Sequence, residues 1–71
     1  MFNRNAFRGK VIAEGMTLSE LASKIGISSA TLSRKMQGES DFTRREIQSI
    51  RVILRLTTDE ADAIFFAKEL T

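Results

Sequence analysis

Along most of the chain the apolar positions recur every three to four residues, the spacing of one helix face. Leu18, Leu21, Ala22 and Ile25 form one such stripe, and Ile47, Ile50, Ile53 and Leu54 form another. Ala61, Ile64 and Phe65 mark a third, while Phe7, Val11 and Ile12 mark one near the start of the chain, ending near Gly15. No stretch keeps the period of two that a half-buried strand requires. The pattern therefore predicts helices.

The starts of three helices are written in the sequence. In a capping box a Thr accepts from the amide three residues on, and the Glu there reaches back to the Thr amide. Thr17 with Glu20, Thr43 with Glu46, and Thr57 with Glu60 all have that spacing. Met16 with Leu21 and Phe42 with Ile47 add hydrophobic staples across the first two starts. Gly26 stops the helix that Thr17 begins, and Ser28 caps the next, which runs to about Gln37 and stops at Gly38. The expected fold is all-α: five short helices in one domain over residues 1–71, with a helix-turn-helix at about residues 17–37.

Composition removes several functions. With 42% apolar residues, the chain is not of the disordered type. It has no Cys and no His, so a disulfide framework, a zinc finger and a Ser-His-Asp triad are excluded. Asp59, Glu60 and Asp62 crowd one helix start, where capping and the helix dipole account for them. No nucleophile–base pair stands out, so no enzyme activity, cofactor, metal or small-molecule ligand is expected. There is no apolar run of about 18 residues and no apolar segment after the basic N-terminus. A cytoplasmic location with no membrane partner is the expectation.

The formal charge of +2 is too small to argue from, but its distribution is uneven. Residues 1–38 carry six basic and two acidic residues, whereas residues 56–71 carry one basic and four acidic. A basic body with an acidic end points to a polyanion on one side.

The helix capped by Ser28 has the composition of a contact surface. At about 100° per residue, Leu32 and Met36 face inward and Ala30, Ser33, Arg34 and Gln37 face away. Ser29 lies at the exposed N-terminal end and Thr31 on a flank. An exposed helix serving structure alone would favour Glu, Lys and Ala, because Ser and Thr are only middling helix formers. Small hydroxylated side chains suit close approach to base edges. Arg34 has the fork to bond guanine, and Gln37 the amide to bond adenine or a phosphate. The helix N-terminus at Ser28 favours a phosphate. Ala22 supplies the small side chain that a steep helix crossing needs.

The run from Thr17 to Arg34, with Arg34-Lys35-Met36-Gln37-Gly38 and then Phe42-Thr43-Arg44-Arg45-Glu46-Ile47, resembles the Cro/CI-type (Xre) family of helix-turn-helix regulators, and its small phage-type Cro-like repressors in particular. The resemblance extends from about Phe7 to Phe66. It implies a five-helix lambda-repressor-like domain that binds double-stranded DNA as a homodimer, with the third helix in the major groove. Carried over by position, the base-reading residues are Ser29, Ala30, Thr31, Ser33 and Arg34. The family often begins its second helix with Gln, where this chain has Leu18. It often has an aliphatic core residue where this chain has Lys35.

Ser28, Lys35, Gln37, Arg44, Arg45, Arg8 and Lys10 are the candidates for contacts with the DNA backbone. Lys35 lies at the edge of the apolar stripe, so its stem is expected to pack while its ammonium reaches out. Arg44 and Arg45 occupy a first turn, where the helix dipole disfavours cations, which favours a functional reason for them. Arg51 and Arg55 read as a solvated face. Of Phe65 and Phe66, one enters the core and the other stays at its edge. Phe66 or Leu70, with Ile64 or Leu56, is the candidate dimer contact. The expected function is an operator-binding transcription regulator of repressor type. The alternative is a protein-interaction module: an antirepressor, adaptor or antitoxin.

Overall fold

The computed structural model describes residues 2–66. Five helices follow in order: α1 (Arg4–Ala13), α2 (Leu18–Ile25), α3 (Ser29–Met36), α4 (Arg44–Ile53) and α5 (Thr58–Phe65). No strand occurs among the described residues.

All three capping boxes are formed. The Thr17, Thr43 and Thr57 side chains each accept from the amide three residues on, at 3.1 Å. Glu20, Glu46 and Glu60 each accept from the corresponding Thr amide at 2.8–2.9 Å. α1 begins differently: the Asn3 side chain accepts from the Ala6 amide at 3.1 Å. Asn3 also donates its own amide to the Ile64 carbonyl at 2.7 Å, which ties the start of the chain to α5.

Every helix contributes to one core. Phe7 and Val11 come from α1, Leu21 and Ala22 from α2, and Leu32 and Met36 from α3. Ile50 of α4, Leu54 and Leu56 beyond it, and Ala61, Ile64 and Phe65 of α5 complete it. Four phenylalanines meet at one end. All pairs among Phe2, Phe7, Phe42 and Phe65 have ring centroids 5.0–6.3 Å apart, in tilted or edge-on arrangements that suit the ring quadrupole. Met16, Phe42 and Ile47 pack against the core half-buried.

Two expectations are corrected. Ile12 lies in α1 but outside the core: it is 72% exposed, because the buried side of the helix is set by Phe7 and Val11, and Ile12 is turned about 100° from Val11. Ile64 and Leu56 are unavailable for a dimer contact, since both are consumed by the core at 2% and 8% exposure.

Gly26 makes the corner between α2 and α3. Its φ of +81° lies in the left-handed region, and its amide bonds back into the last turn of α2. A Cβ at this position would meet nothing within 4 Å. Gly26→Ala is therefore expected to cost only the conformational penalty, about 1 kcal/mol, without a steric clash. Thermal melting checks this; an unchanged midpoint would mean that the corner tolerates a side chain freely.

Candidate nucleic-acid interface

α3 presents its polar residues away from the core. Ser29, Ala30, Ser33, Arg34 and Gln37 are exposed, and Thr31 is half-buried on the flank. Ala30 and Arg34 stand about opposite the Leu32–Met36 ridge, given the helical rotation per residue. The arginine forms no ion pair among the described residues. Hydrogen bonds hold several of these side chains in place. Ser28 caps α3 by accepting from the Thr31 amide at 3.1 Å, and its hydroxyl donates to the Thr31 Oγ1 at 2.9 Å. The Gln37 amide donates to the Ser33 hydroxyl at 3.3 Å. The Ser29 hydroxyl donates to the Ser19 hydroxyl at 3.0 Å, linking the first turns of α3 and α2.

One edge of this face borders a groove. Ser29, Ser33 and Gln37 line it from α3 and its C-terminal cap, Leu18 from α2, and Arg4 and Arg8 from α1. Leu18, in the place the resemblance usually gives to Gln, supplies apolar wall rather than an amide. Sequence reasoning passes over Arg4. It lies four residues before Arg8, so the two share one side of α1, and that spacing was the available signal. Two like charges at this separation disfavour the helix slightly, and Arg4 also opposes the dipole of the first turn. Neither arginine has an ion-pair partner among the described residues. The groove thus gathers two uncommitted cations and three side chains that form hydrogen bonds beside α3.

Two lysines expected at a DNA backbone form ion pairs within the protein. The Lys10 ammonium bonds the Glu60 carboxylate, joining α1 to α5. That bond, followed by the Thr57 amide, holds the Glu60 carboxyl below its ordinary range. The Lys35 ammonium does not reach out. It sits 3.1 Å from Glu46 Oε1 and donates to the Asp41 carbonyl at 2.9 Å, and the two side chains are 10% and 15% exposed. The reason is the path of the chain after α3, which brings Glu46, in the first turn of α4, alongside Lys35. Burial pushes the Glu46 carboxyl up, but the Thr43 amide and the Lys35 ammonium together outweigh it and keep the group below its ordinary range.

Arg44 and Arg45 are exposed in the turn of α4 that Lys35 holds to α3. Arg51 donates to the Thr58 hydroxyl, and Arg55 pairs with Glu14 at 3.1 Å, so both serve the helix connections. Phe66 is 60% exposed after α5, while Leu70 lies outside the described residues. No helix of the described residues is long and apolar enough to cross a membrane.

One comparison with known proteins agrees with this arrangement. The family model described as the Cro/C1-type HTH DNA-binding domain matches residues 9–62, which takes in α2, α3 and α4 entirely. No curated protein matched, nor did any solved structure. With more than half of its length under that match and a capped helix-turn-helix presenting a polar third helix, the chain belongs to the Cro/C1-type helix-turn-helix DNA-binding family.

Proposed function

We propose that the protein is a sequence-specific repressor of Cro type, which reads an operator through α3 and acts by occupying it. The observation that carries this reading is the exposed α3 face, with the uncommitted arginines of α1 beside it. Eight helical residues span about 12 Å, enough to follow the floor of a major groove over a few base pairs. Ser29, Ala30, Thr31, Ser33 and Arg34 read base edges. Arg8 and Arg4 contact the backbone on one side of the helix, and Arg44 and Arg45 contact it on the other. Ser28 and Gln37 contact it at the two ends of α3. Lys10 and Lys35 take no part, since their ammonium groups are engaged by Glu60 and Glu46.

Two copies bind half-sites one helical turn apart, roughly 34 Å, and Phe66 contributes to their contact. The exposure of Phe66 at the end of α5 supports this role.

Selection of bound sequences from a random duplex pool at two salt concentrations tests the proposal. The expected result is a motif of two related half-sites, with affinity that falls as salt rises because phosphate contacts release counterions. Absence of enrichment at both salts would favour a protein-interaction module and direct the search to a partner protein.

A further inference from the structure

α3 rests on the core along the ridge of Leu32 and Met36, the line about which the helix would roll. Two polar ties oppose that motion, and they differ in both end and side. At the N-terminal end, Ser29 bonds Ser19 of α2 at 3.0 Å. At the C-terminal end, Lys35 bonds Glu46 of α4 at 3.1 Å and the Asp41 carbonyl at 2.9 Å. Helical rotation puts Ser29 on one side of the ridge and Lys35 on the other, so rolling either way breaks one tie. Glu46 Oε1 also accepts the Thr43 amide of the capping box, so Lys35 is bonded to an atom that the start of α4 already fixes. No other hydrogen bond or ion pair joins α3 to α4 among the described residues.

We propose that the Lys35–Glu46 pair is a positioning device, which sets the angle of α3 and thereby its base specificity without touching DNA. The inference rests on the reading of α3 as the DNA-reading helix. A roll of about 10° carries a side-chain tip about 1 Å at a helix radius of about 5–6 Å, enough to spoil a bidentate bond to a base. Because the pair is largely shielded, salt that weakens phosphate contacts leaves it intact.

The test uses the full chain with the operator recovered by selection. Wild type, Lys35→Met and Glu46→Gln are titrated onto that duplex and onto a scrambled duplex of the same composition, over a series of salt concentrations. Both variants are expected to lose about tenfold in the ratio of the two affinities, while binding to the scrambled duplex and the salt slope stay as in wild type. Glu46→Gln keeps the experiment decisive should Lys35→Met fail to fold, because Gln also completes a capping box. An equal loss on both duplexes, with a slope smaller by about one, would make Lys35 a phosphate contact and overturn the proposal. An unchanged ratio in the folded variants would overturn it as well. A wild type that selects no sequence would defeat the reading of α3 itself, and the wild-type measurement alone distinguishes that failure.

Discussion

Phe7→Ala is expected to lower the stability of the fold by about 3–5 kcal/mol. Phe7 is fully buried, and its ring meets those of Phe2, Phe42 and Phe65. These four rings come from the start of the chain, α1, the segment before α4, and α5, so the cavity left by truncation would open where four separate segments meet. A chain of 71 residues has a total stability of about 4–11 kcal/mol. The substitution would therefore remove a large share of it and lower the melting midpoint by about 20 °C. Chemical denaturation measures the loss directly. A loss below about 1 kcal/mol would show that the ring cluster collapses around the gap and that the core is held elsewhere.

Arg34→Ala is expected to do the reverse: little to the fold and much to recognition. The side chain is exposed, opposite the core ridge, and without an ion-pair partner among the described residues. Its truncation should leave stability within about 0.5 kcal/mol. Binding to the selected operator should weaken by about 1–3 kcal/mol, and the preference at one base pair should relax. Repeating the selection with the variant checks both effects. Operator affinity and motif equal to those of wild type would remove Arg34 from the readout.

What the sequence makes legible is what lies close along the chain. Thr17, Thr43 and Thr57 each declare a helix start through a Glu three residues away, and Gly26 and Ser28 declare the corner. The outward face of α3 follows from helical rotation once Leu32 and Met36 are placed inside. Asn3, which caps α1, lacks such a box, and its amide finds Ile64 only through the packing of α5. The destinations of Lys10 and Lys35 are hidden for the same reason. Their partners, Glu60 and Glu46, are chosen by how helices cross, and no local pattern encodes a crossing angle. Phe2 gives no periodic signal, since it precedes the first helix, yet it completes the ring cluster. The groove beside α3 is half legible: Arg8 is a candidate from its charge, while Arg4 emerges only through its i, i+4 relation to Arg8.

The bond from Asn3 to Ile64, together with the Phe2 and Phe65 rings, closes almost the whole described chain into a single loop. The capping boxes, by contrast, close loops of a few residues and carry almost no chain-closure entropy. For a flexible chain that entropy grows only with the logarithm of loop length, so the long closure costs a few times RT more than a short one. Helices rich in local contacts assemble on microsecond to millisecond timescales. On these grounds the meeting of the two ends carries the largest closure entropy among the described residues, and it is expected to follow the local turns in folding.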